Sequence, residues 1–182
     1  MDYHRFETQY RNAKARVFES NIIESNKQSI DLLLKSCQSE GIGLARLTKL
    51  CETLLRLARD LQKPFETAKE QDIRDILRHY EEGGFSVWTK HDVKVILKQF
   101  YKWQNHNMYP PNVEWINTTI PHKDKFQVRE GALLTEEEIT KVIEATDHPR
   151  NKALLSVLAE SGARIGEIGN LTLSQINIDP NG

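Results

Sequence analysis

Residues 158–171 read LAESGARIGEIGNL. An apolar helical pattern runs into Ser161-Gly162 and resumes around Arg164. Glycine enters the left-handed region without strain, so Gly162 can end one helix, and a new helix then starts at Arg164. A guanidinium at a helix N-terminus opposes the helix dipole, so stability is a poor reason to put it there. An anion at that point would reverse the argument. Helix N–H groups point outward, and the guanidinium adds a planar, bidentate fork, which together make a phosphate ligand set. The residues leave a second reading open, in which Arg164 pairs with Glu160 or Glu167.

A second chemistry-bearing pattern lies upstream. Lys90, Lys94, Lys98 and Lys102 recur every four residues, a spacing that keeps them near one face of a helix. Such a row of ammonium groups can follow a nucleic-acid phosphate backbone, or it can be a solvated helix face. Arg46, Lys49 and Arg56 form a second basic group with the same two readings. Trp88, Trp103 and Trp115 read as packing residues rather than base-stacking platforms. The six histidines show no metal-ligand spacing. Cys37 and Cys51 lack a C-x-x-C spacing and read as buried free thiols. No metal and no cofactor is expected.

The elements that must position these groups are helical. Apolar residues recur at helical spacing over 3–19 (Phe6, Tyr10, Ala13, Val17), 24–39 (Ile30, Leu33, Leu34, Cys37) and 44–62 (Leu47, Leu50, Leu54, Leu57, Ala58, Leu61). Thr67 and Glu70 form a candidate capping box ahead of Ile73, Ile76, Leu77 and Tyr80, and Gly83-Gly84 stop that helix. A fifth helix, capped by Thr89, runs to about 105 with Val93, Ile96, Leu97, Phe100 and Trp103 inward. Residues 108–130 hold three prolines and no sustained period, which predicts an extended linker. Thr135 and Glu138 then cap a helix to about 146, and another spans 149–161 with Ala153, Leu154, Val157 and Leu158 inside. After residue 171, Ile176 and Ile178 alternate with polar residues, as at the start of a strand. The division is a helical domain over 1–107, a linker over 108–130, and a second domain over 131–182.

Charge is split between these parts. Residues 1–130 hold 21 Lys/Arg against 18 Asp/Glu, or +3, whereas residues 131–182 hold 4 against 8, or −4. A mildly basic first part permits a nucleic-acid partner. The polar, amphipathic first twenty residues are no signal peptide, and no run approaches a membrane span, so a cytoplasmic protein without membrane contact is expected.

The stretch ALLSVLAESGARIGEIGNLTLSQI resembles the first catalytic motif of the tyrosine recombinase (phage integrase) family. LLTEEEITKVIEA resembles the opening of the same catalytic domain, and SVWTKHDVKVILKQFYKW the last helix of the family's N-terminal core-binding domain. YPPNVEWI is similar to the interdomain linker of its archaeal branch. The resemblance implies a mainly α fold: a helical, SAM-like core-binding domain, then the incomplete, mostly helical start of an α+β catalytic domain. It implies that Arg164 holds the scissile phosphate and that Glu167 supports the site. It implies double-stranded DNA as partner, contacted through Arg46, Lys49, Arg56, Thr89, Lys90, Lys94, Lys98 and Lys102, with self-association on DNA in a full-length protein. The family integrates and recombines DNA through a 3′-phosphotyrosyl link. Its lysine hairpin, His-x-x-Arg motif and nucleophilic tyrosine follow Arg164 and have no match here; Tyr101 and Tyr109 precede Arg164 and do not qualify. The chain is therefore expected to bind DNA without cutting it, as part of a recombinase. The alternatives are a natural DNA-binding regulator without catalysis and a helical protein–protein adaptor.

Overall fold

The computed structural model describes residues 5–125, 131 and 133–176, apart from the side chains of Lys123 and Leu173. They fall into two compact units, one ending before residue 127 and one following it. All regular structure among them is helical.

The first unit opens with α1 (Phe6–Glu19), α2 (Glu24–Ser39) and α3 (Leu44–Leu61). Leu47, Leu50, Leu54, Leu57, Ala58 and Leu61 are buried as their spacing predicts, and Cys51, Leu55 and Thr53 join them. An apolar surface this wide must be covered from several sides. Accordingly α1, α2, α4 (Glu70–Glu82) and α5 (Val87–Gln104) all pack on α3. Tyr10, Ala13 and Val17 supply the buried face of α1, while Phe6 is half-buried. Cys51 is fully buried and Cys37 half-buried, both as free thiols; burial pushes the Cys51 thiol up to about 12.

Two predicted caps sit elsewhere. Thr67 closes a 3₁₀ turn, Phe65–Thr67, with its hydroxyl donating to the Pro64 carbonyl at 3.0 Å. The helix begins at Glu70, and Asp72 accepts from the Lys69 N–H at 2.8 Å. Pro64 causes the displacement, since its fixed φ starts a tight turn before the helix can begin. At α5 the cap is Ser86, whose hydroxyl accepts from the Thr89 N–H at 3.1 Å. Thr89 lies inside the first turn, three residues after the extended backbone that a cap requires. Gly83 ends α4 where a Cβ would meet the Phe85 ring at 2.7 Å.

The segment after α5, expected to be extended, is instead folded onto the first unit. Pro111 opens a single helical turn, α6 (Pro111–Glu114). Val113, Ile116 and Ile120 are 0%, 2% and 7% exposed, which makes them core rather than linker residues. Asn112 donates to the Ala68 carbonyl at 3.1 Å, and Arg74 stacks on Trp115 at 3.9 Å from the ring centre. A short turn, α7, spans His122–Lys125.

The second unit holds α8 (Glu136–Glu144), α9 (Pro149–Ser161) and the short α10 (Ile165–Gly169). Thr135 and Glu138 form the predicted capping box: the Thr135 N–H donates to Glu138 at 2.8 Å, and the Glu138 N–H returns to the Thr135 hydroxyl at 3.3 Å. Gly162 ends α9 at φ 62°, as its type implies. Burial departs from expectation. Ala153 and Val157 are exposed, and Leu154 and Leu158 only half-buried. Two helices of this length face each other over one stripe and leave the rest uncovered. The strand predicted near Ile176 is not seen among the described residues: Leu173–Gln175 is a 3₁₀ turn, and Ile178 lies outside them.

Burial of the 113–120 segment has a direct consequence. Ile116→Ala destabilises the first unit by ~2–4 kcal/mol, the scale of a buried isoleucine truncation. Urea denaturation measures this, and a loss below ~0.5 kcal/mol would show that the segment is a free linker.

Candidate nucleic-acid interface

The eight predicted DNA-contacting side chains separate into three places. The first is the α4–α5 junction. Lys90 donates to the Glu81 backbone carbonyl at 2.7 Å and lies 3.5 Å from its carboxylate, which Lys94 approaches to 2.5 Å. Lys98 donates to the carbonyls of Ile116 at 2.8 Å and Glu114 at 3.2 Å. Lys98 and Lys102 also lie 4.9 and 5.0 Å from the Tyr109 ring centre. All four lysines are half-buried. The lysine row is therefore not a solvated face. The carbonyls at the C-terminal end of a helix lack intrahelical donors and favour nearby cations. Lys90 and Lys98 meet this need at the ends of α4 and α6.

The second place is a cleft of ≈ 400 Å³ between α1, α3 and the start of α5. It brings Lys49, Arg56 and Thr89 together, residues separated by up to 40 positions in the chain. Lys49 pairs with Asp92, and Arg16 pairs with Glu52 at 2.6 Å. Arg56 forms no ion pair among the described residues; its guanidinium reaches the Thr53 hydroxyl at 3.4 Å. The Thr89 and Ser86 hydroxyls bond each other at 2.9 Å in the first turn of α5. One unpaired guanidinium, one exposed and weakly held ammonium and a helix N-terminus suit a phosphate. Releasing Lys49 from Asp92 costs no more than ~1 kcal/mol, because such partly exposed pairs are weak.

The third place is a more apolar cleft between α2, α3 and α5, with Arg46 and Lys102 at its edge. Arg46 donates to the Gln99 side-chain carbonyl at 2.9 Å. Arg46, expected in one group with Lys49 and Arg56, does not share a cleft with them.

In the second unit, Arg164 caps α10. Its N–H donates to the Glu167 carboxylate at 2.9 Å, and its guanidinium lies 3.4 Å from the same group. The side chain is 89% exposed, so this contact does not commit it. Tyr101 is buried, its hydroxyl donates to the Phe65 carbonyl at 3.0 Å, and burial raises its pKa. Tyr109 lies against Lys98 and Lys102. Of the tryptophans, Trp103 packs on the core, whereas Trp88 is 52% exposed against expectation. It follows the cap of α5, before that helix turns its apolar face inward. No cluster of three or more metal-ligand side chains occurs among the described residues, and no helix among them is long and apolar enough to cross a membrane.

Sequence reasoning missed the docked segment, although Val113, Ile116 and Ile120 repeat at i, i+3 and i+7 and carried the signal. It also missed Glu81, the anion at the centre of the lysine row. Its hydrogen bond from Lys94 holds the Glu81 carboxyl below the usual glutamate range, against the effect of burial. The stability it contributes is complete above the ordinary glutamate pKa and is lost as pH falls through the lowered one. Glu81→Gln therefore costs a few tenths to ~1 kcal/mol near pH 7 and less at a pH well below the ordinary glutamate range. Urea midpoints at the two pH values test this; an equal cost at both would remove Glu81's charge from the account.

No family profile matches the chain, and no solved structure matches it significantly. Among curated proteins, the chain is similar to Tyrosine recombinase XerA of Pyrococcus horikoshii, 26% identical over 122 residues. The aligned part covers 65% of this chain and 40% of that protein, so the chain spans well under half of its relative's length. A distant relationship to a tyrosine recombinase is what this similarity supports.

Proposed function

We propose that this chain binds double-stranded DNA as part of a protein that recombines or integrates DNA. The observation that carries the reading is the cleft in which Lys49, Arg56 and the start of α5 converge. In this reading the Arg56 fork and the N–H groups at the start of α5 take backbone phosphates. Lys49 exchanges Asp92 for a phosphate oxygen, and Thr89 adds a hydroxyl. The net charge of +3 over residues 1–130 and the similarity to a recombinase support a polyanionic partner.

Arg164 is assigned a separate role. Its exposed guanidinium follows the Gly162 break and is tied only to Glu167. We assign it to the scissile phosphate of a strand-transfer reaction, with Glu167 holding it in place by capping α10. The remaining catalytic groups of that family have no match among these residues.

Binding to a duplex falls with salt at a log–log slope of ~0.9 per phosphate neutralised. Replacing Lys49 and Arg56 together with Ala flattens that slope by ~2 units, whereas Arg164→Ala leaves it nearly unchanged. Fluorescence anisotropy over a salt series reads both. An unaltered slope in the double variant would mean that DNA does not use this cleft.

A further inference from the structure

The cleft between α2, α3 and α5 has a chemistry that the DNA reading does not use. Its volume is ≈ 360 Å³, and Leu33, Ile42, Leu50, Phe100 and Trp103 line it. Arg46 and Lys102 stand at its edge. Neither meets a carboxylate among the described residues: Arg46 holds the Gln99 carbonyl, and Lys102 lies against the Tyr109 ring. Glu40, also at the cleft, accepts from the Ser36 hydroxyl at 3.3 Å. An apolar floor with two cations against one anion suits a segment that offers apolar side chains followed by carboxylates.

The chain carries such a segment. Leu133 and Leu134 are adjacent and 77% and 62% exposed. Two adjacent leucines this open to water offer apolar surface that a docking partner would cover. Glu136, Glu137 and Glu138 follow in the first turn of α8. Glu138 is occupied with Thr135, while Glu136 and Glu137 form no ion pair among the described residues. Residues 131–182, which include this segment, carry −4, and residues 1–130, which include the cleft, carry +3.

We propose that residues 133–137 of one copy seat in the α2–α3–α5 cleft of a second copy. The leucines enter the apolar floor, and Glu136 and Glu137 meet Arg46 and Lys102. Each copy offers one segment and one cleft, so the contact is head-to-tail. The proposal does not rest on the DNA reading, since it uses another cleft and forms without DNA.

Sedimentation velocity of the whole chain without DNA tests it. The wild-type protein sediments faster as its concentration rises, and less so in high salt. Leu134→Ser and Arg46→Glu each weaken association ~10-fold or more. Both positions lie outside the buried core; Lys102→Glu replaces Arg46→Glu if circular dichroism shows that the latter fails to fold. An equimolar mixture of the two variants recovers a dimer, because one copy keeps an intact cleft and the other an intact segment. Sedimentation independent of concentration in the wild-type protein would overturn the proposal, as would a mixture as monomeric as each variant alone.

Discussion

The first unit depends on one buried clamp. Asn26, 1% exposed on α2, uses both ends of its amide on the loop between α3 and α4. It donates to the Lys63 carbonyl at 3.0 Å and accepts from the Phe65 N–H at 2.8 Å. The Phe65 carbonyl in turn accepts from the Tyr101 hydroxyl on α5 at 3.0 Å. Phe65 itself, fully buried, packs on Phe100 at 4.6 Å and on Tyr101 at 6.5 Å between ring centres. Burying an amide, a phenol and loop backbone is tolerable only when their polar groups are satisfied. Here each bond closes the account of another, so α2, the loop and α5 hold one arrangement. Loss of Asn26 would leave the buried Phe65 N–H, and the partly buried Lys63 carbonyl, without this partner.

The position of α5 then decides what its lysines do. With α5 held against α3, its lysine row faces the end of α4 and the segment that follows α5. The ammonium groups take up carbonyls and Glu81 there. The N-terminal turn of α5 comes to lie beside Lys49 and Arg56 instead, across a cleft that α1 also borders. One helix thus spends its cations on internal docking and contributes its start, with few charges, to the open cleft. Net charge alone does not reveal this division.

Much of the helix pattern was legible from residue types. The helices expected at about 24–39 and 149–161 form there, because apolar period, prolines and glycines agree. The Thr135–Glu138 box and the left-handed Gly162 were legible for the same reason: local chemistry decides them. The Thr67 and Thr89 caps were misplaced because a better placed competitor, Asp72 or Ser86, lay three to five residues away, and only backbone conformation separates such candidates. The prolines of 110–121 masked an apolar repeat that packs. The lysines could not be assigned from spacing, since a row every four residues looks the same whether it faces water, phosphate or the end of a neighbouring helix. The half-exposed apolar residues of α9 were unpredictable because periodicity gives a face and not what covers it.

DNA held at the α1–α3–α5 cleft, as proposed, leaves the lysine row uninvolved. Backbone amide shifts, followed by NMR while a short duplex is titrated at low salt, test it most directly. The expected perturbations concentrate in residues 45–56 and 86–92, with those of 109–120 unmoved. Shifts confined to 109–120 and α4, or none at all under conditions where nonspecific phosphate contacts form, would contradict it.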